Sequence, residues 1–204
     1  MCVKRAAYRA HSLQVVLATK DANVKTRTAA CDLLVAVAGV VLRNTDPSGG
    51  EECSGLSSLL TKLLTGVAGT TPHMAGASLL ALARLTHEIE QKHKLQPIAP
   101  RLIEASSALL QHRAKEVARA ALTLALRAVS CVSIPELNGL LPALVPALTR
   151  CNAGRARVRY VFERLVQRCG SEAVVDAIPP SVGGFWRSRR GLTALKPKAK
   201  PTTN

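Results

Sequence analysis

Apolar residues return every three to four positions along most of the chain, and no segment alternates with period two. The pattern predicts helices and no strands. Helices are expected at about 4–18, 24–43, 53–67, 72–92, 98–111, 114–132, 135–150 and 155–169, with a short ninth at 172–177. Asn23 and Thr71 stand where a side-chain oxygen accepts a first-turn amide proton, and Pro72 occupies a first-turn position. Gly69 and Gly170 are expected to close the helices before them, and the pair Pro179 and Pro180 to stop the last one. The segment NTDPSGGEE at 44–52 reads as a loop. Pro142 and Pro146 are expected to interrupt the helix over 135–150, because proline has no amide proton and crowds the preceding turn.

The helices come in pairs. The second members begin near 24, 72, 113 and 155, with separations of roughly 48, 41 and 42 residues. That is the arithmetic of two-helix repeats of the HEAT type. The stretches VKTRTAACDLLVAV, PHMAGASLLALARL, AKEVARAALTLALRAV and RVRYVFERLVQRC each place small and branched apolar residues on one wide face. One pair cannot bury such a face, so neighbouring pairs must stack. The fold expected is therefore all-α: a HEAT-like helical-repeat solenoid of about four helix pairs. An up-down bundle is the rival architecture, and the repeat period favours the solenoid. The repeat domain is expected over 1–180. From Ser181 the apolar period stops, and 181–204 reads as a flexible, disordered basic tail.

Composition narrows this further. Apolar residues are 48% of the chain but aromatics only 2%, so the core must be built from Leu, Val and Ala, which suits packed helices over a sandwich. Six cysteines (Cys2, Cys31, Cys53, Cys131, Cys151 and Cys169) show no CxxC spacing, and no secretory signal is visible at the start. Reduced, mostly buried thiols are expected. The longest apolar run, Leu33 to Leu42, has 10 residues, against the roughly 20 a membrane span needs. The expectation is a soluble intracellular protein with no membrane contact.

Charge supplies the first functional signal. The net charge is +15, of which residues 150–204 carry +9. A polyanion is the natural partner for such a balance, nucleic acid first. On the helix over 155–169, Val158, Val161, Phe162 and Leu165 share one face, with Arg157, Arg164 and Arg168 opposite. Three guanidinium forks aimed away from the core suit phosphate oxygens. The same stripe can also be a solvated face, or pair with acids of a neighbouring repeat. The tail adds Arg187, Arg189 and Arg190, then Lys196, Lys198 and Lys200, which read either as phosphate contacts or as import signals. Phe185 and Trp186 beside them can stack on bases or dock the tail onto the last repeat.

The chain has no P-loop and no dinucleotide fingerprint. Its histidines, His11, His73, His87, His93 and His112, stand without ligand-spaced partners, which argues against zinc. Glu88 and Glu90 lie near His87 in sequence without facing one another. Cys31 beside Asp32 reads as a buried thiol within an apolar helix. The expectation is a non-enzyme with no cofactor, no metal and no small-molecule substrate.

Four stretches together resemble a known family. They are TKDANVKTRTAACDLL (Thr19 to Leu34), GVAGTTPHMAGASLLALARLTHEI (Gly66 to Ile89), RAKEVARAALTLALRAV (Arg113 to Val129) and RVRYVFERLVQRCGSEAV (Arg157 to Val174). In order and approximate spacing they resemble the HEAT-repeat region of the ribosomal RNA-processing protein twelve family, over roughly residues 12–180. AGTTPHM is the most specific, since a generic helical repeat has no reason to carry it. The resemblance implies a nuclear and nucleolar, non-catalytic scaffold of ribosome biogenesis. Its partners would be pre-ribosomal RNA, proteins of the pre-ribosomal particle and nuclear transport factors. Members are far longer, so the chain is expected to be a fragment or shortened version, and His87 stands where members often have an aromatic. The competing expectation is a protein-only adaptor, or a nuclear-transport-like HEAT solenoid, with the basic tail as an import signal.

Overall fold

The computed structural model describes residues 14–43, 54–68, 71–89 and 95–180. Its described residues form helices joined by turns, with no strand among them. The described part of α1 is 14–18. There follow α2 (Val24–Arg43), α3 (Ser54–Val67), α4 (Pro72–Glu88), α5 (Ala99–Leu109), α6 (Lys115–Ala128), α7 (Ile134–Thr149), α8 (Arg155–Cys169) and α9 (Ser171–Asp176). The expectations for 44–52, Gly69, residues 90–94 and the 181–204 tail lie outside the described residues.

Local chemistry places several of these ends. The Asn23 side chain accepts the Lys25 amide at 2.9 Å, and the Thr71 hydroxyl accepts that of Met74 at 3.2 Å ahead of Pro72. Gly170, at φ +86, lies in the region that a side chain disfavours and lets the chain turn from α8 straight into α9. One expectation fails: α7 runs unbroken through Pro142 and Pro146. Each proline frees the carbonyl four residues earlier, those of Asn138 and Pro142. Both of these residues are exposed, so water reaches the freed carbonyls, while Leu137, Leu141, Leu144, Val145 and Leu148 anchor the other side of the helix.

The second helices stack in chain order: α2 on α4, α4 on α6, α6 on α8. Each first helix packs on its own second helix, α3 on α4, α5 on α6 and α7 on α8, and α5 also packs on α7. The short α9 closes against α7 and α8. Stacking of successive pairs along the chain is the solenoid and not the up-down bundle.

A single core runs through the stack, and α4 sits deepest. Ala75, Gly76, Ala77, Ser78, Leu79, Ala81, Leu82, Ala83 and Leu85 are all buried, so this helix is enclosed on nearly every side. Small residues make that possible. A Cβ on Gly66 of α3 would lie 2.5 Å from Ser78 Oγ of α4 and 3.4 Å from Ser78 Cβ, so glycine there leaves room for the buried Ser78 hydroxyl. Gly76 leaves a passage for Lys20, whose Nζ would lie 3.1 Å from an added Cβ. Lys20 crosses α4 there and pairs with Glu116 of α6 at 2.8 Å. Phe162 is completely buried, while Tyr160 is exposed.

Candidate nucleic-acid interface

Helix α8 is split by its sequence into two faces. Val158, Val161, Phe162 and Leu165 are buried, as their spacing predicts. Arg157 and Arg164 are exposed on the other side. The Arg164 guanidinium lies 5.9 Å from the centroid of the Tyr160 ring, and its Nη1 donates to Gln167 Oε1 at 3.4 Å. Arg159, also exposed, is partly neutralised by Glu163 at 3.0 Å, one turn on.

Arg168 departs from the expected stripe. It is half-buried, and its guanidinium turns back onto the preceding repeat, donating to the carbonyl of Val129 and, at 2.8 Å, to that of Val132. These carbonyls lie just past the end of α6, where helical acceptors have no partner within the helix. A cation there also meets the negative end of the helix dipole. The three-arginine stripe is therefore two exposed arginines, Arg157 and Arg164, and one that ties α8 to α6. Arg119 makes a second tie, its Nε donating to the Ala153 carbonyl at 3.3 Å. The tail candidates Arg187, Arg189, Arg190, Lys196, Lys198 and Lys200 lie outside the described residues.

The structure also assembles a cationic cleft that the sequence reading missed. Thr19 joins Arg27, Thr28 and Cys31 of α2, Leu80, Ala83, Arg84 and His87 of α4, and Thr123 and Arg127 of α6 around about 450 Å³. A signal for part of it was present: Arg84, Arg127 and Arg168 recur near the ends of successive second helices, at intervals of 43 and 41 residues.

The thiols behave as packed side chains. Cys131 and Cys151 are buried, Cys31 and Cys169 half-buried, and all four are free. Burial pushes the Cys31, Cys151 and Cys169 thiols up, away from the reactive thiolate. Among the described residues no three His, Cys, Asp or Glu side chains are grouped to hold a metal ion. Among them also, no helix is long and apolar enough to cross a membrane.

No family model matches the chain. Among curated proteins, it is 24% identical over 202 residues to ribosomal RNA-processing protein 12 of Saccharomyces cerevisiae, which covers 90% of this chain and 16% of that protein. It is 23% identical over 168 residues to the Schizosaccharomyces pombe protein named "Putative ribosomal RNA-processing protein 12", covering 82% of this chain and 14% of the relative. The chain thus spans about one-sixth or less of the length of either relative. Over most of its own length, it is similar to the ribosomal RNA-processing proteins that its four motifs resemble.

Proposed function

We propose that the chain is a non-catalytic helical scaffold in ribosome biogenesis, acting in pre-ribosomal RNA processing and in the maturation and export of pre-ribosomal subunits. Its partners in this reading are pre-ribosomal RNA and assembly proteins of the pre-ribosomal particle, with nuclear transport factors engaged during export. Its place is the nucleus and nucleolus. The observation that carries the reading is the similarity to two ribosomal RNA-processing proteins across 82% and 90% of the chain. The net charge of +15 and the exposed Arg157 and Arg164 support contact with RNA itself. A stacked-helix array offers a long, continuous surface, which suits holding a large ribonucleoprotein.

The test is the affinity of the purified chain for RNA at two salt concentrations, with and without residues 181–204. Binding that weakens steeply with salt supports the reading. Loss on tail removal assigns the contact to the tail, and survival assigns it to the helical body. Absence of RNA binding in both forms overturns direct RNA contact and leaves a protein-only adaptor.

A further inference from the structure

The cleft across α2, α4 and α6 is lined by one arginine from each of three successive second helices, and no carboxylate is among the lining residues. Arg27 is fixed in place by its own turn, its Nη1 donating to the carbonyls of Asp21 and Ala22 at 2.7 and 2.9 Å. Arg84 is held from one side by Glu88 at 3.2 Å, and Glu88 also lies 3.2 Å from His87 Nδ1. Arg127 is exposed and, among the described residues, its guanidinium has no hydrogen-bond or ion-pair partner. The Thr28 and Thr123 hydroxyls donate to Val24 and Arg119 carbonyls one turn back, so they offer lone pairs to the cleft, and the arginines are its donors. Asp32, next to Cys31, and Glu88 are the nearby acids, and neither lines the cleft.

We infer that this cleft binds the sugar–phosphate backbone of single-stranded RNA, with Arg27, Arg84 and Arg127 each taking a phosphate. The inference rests on the RNA-binding reading above and gives it a second site, on the stacked second helices, apart from the exposed arginines of α8 and from the tail. The geometry favours a nucleic acid backbone over a protein helix. A docked helix needs a row of apolar anchors, and the cleft offers only Leu80, Ala83 and the Cys31 thiol. No Phe, Tyr or Trp lines it, and the His87 imidazole is its one ring, so recognition runs chiefly through phosphates with little dependence on sequence. Adjacent packed helices stand about 8–10 Å apart, so the stack offers cations in a line that a flexible strand can follow.

The test uses the full chain and a fluorescent 20-nucleotide oligouridine, titrated across a series of salt concentrations. The variant R27Q/R84Q/R127Q removes three phosphate contacts. For single strands each contact contributes about 0.7 to the slope of log affinity against log salt, so the slope should fall by about 2. At 0.1 M salt that corresponds to about 100-fold weaker binding, with the variant and wild type converging near 1 M. K62Q/R101Q/R150Q loses the same charge from the first helices and their ends, and should weaken binding by less than about threefold. R127Q alone removes an exposed side chain with no structural tie. It tests the cleft even if the triple variant misfolds, and should weaken binding about fivefold at 0.1 M salt. Bound RNA should also slow alkylation of Cys31 relative to Cys151, read by mass spectrometry.

Wild-type binding that is unchanged in slope and affinity in the cleft variants overturns the cleft and leaves the RNA-binding reading intact. Absence of RNA binding by the wild type at 0.05 M salt overturns both. Binding of polyglutamate but not RNA, lost in R127Q, overturns the RNA occupant in favour of an acidic peptide.

Discussion

Replacing Arg168 with leucine separates a structural arginine from an RNA-binding one. The substitution keeps an apolar stem and removes the guanidinium that donates to the Val129 and Val132 carbonyls. A hydrogen bond from a charged donor contributes about 1.5–3 kcal/mol, and a buried acceptor left unpaired costs extra. Val129 and Val132 are almost completely buried, so their carbonyls gain little from water after the loss. Arg168 itself is only half-buried, which reduces the sum, since part of its bonding competes with solvent. The expected cost is about 2–4 kcal/mol, read as a lower urea midpoint. Because each repeat is held mainly by its neighbours, the loss should concentrate at one end of the stack. Hydrogen exchange should accelerate in α8 and α9 and stay unchanged in α4. Arg164→Leu, exposed on the same helix, should change stability by less than about 0.5 kcal/mol. A loss below about 0.5 kcal/mol for Arg168→Leu, with no faster exchange in α8, would refute the assignment of Arg168 as the tie between repeats.

Three further outcomes are expected. Gly66→Ala should destabilise by about 1–3 kcal/mol in urea unfolding, because its Cβ would lie 2.5 Å from Ser78 Oγ. Adding Ser78→Ala should recover most of that loss, since the remaining Ser78 Cβ contact is 3.4 Å. The hydrogen bond and charge of Lys20 hold the Glu116 carboxyl below the usual carboxylate range. A lowered folded pKa gives stability that is present above the unfolded-chain value near 4.5 and lost as pH falls through the folded value. Glu116 is exposed, so the contribution is under about 1 kcal/mol, and Lys20→Met should flatten the acid limb of a thermal-melting profile. Phe162→Ala empties a fully buried site and should cost about 3–5 kcal/mol by the same urea assay.

Much of the fold was legible because its causes are local. The 3.6-residue period, the Asn23 and Thr71 caps and the turn at Gly170 depend on neighbours within a few positions, and all stand where the pattern places them. The repeat interval of about 40 residues carried the stacking order as well, since a face too wide for one pair needs the next. Pro142 and Pro146 were misread because a local rule ignores which side of a helix meets water. The candidate site was legible only in part. Helical spacing correctly put Arg157 and Arg164 outside the core but could not tell them from Arg168.

What distinguishes Arg168 is a pair of backbone carbonyls 39 and 36 residues earlier, and every residue type carries a carbonyl, so no sequence pattern marks them. The cleft has the same origin. Arg27, Arg84 and Arg127 stand about one repeat or more apart in the chain, and they share a surface only because α2, α4 and α6 pack side by side. Sequence determined the helices, their capped starts at Asn23 and Thr71 and their order, while α6, expected to reach 132, ends at Ala128. Tertiary packing decided which cations are consumed in joining repeats and which remain facing outward, because that choice depends on what each guanidinium meets across a helix interface.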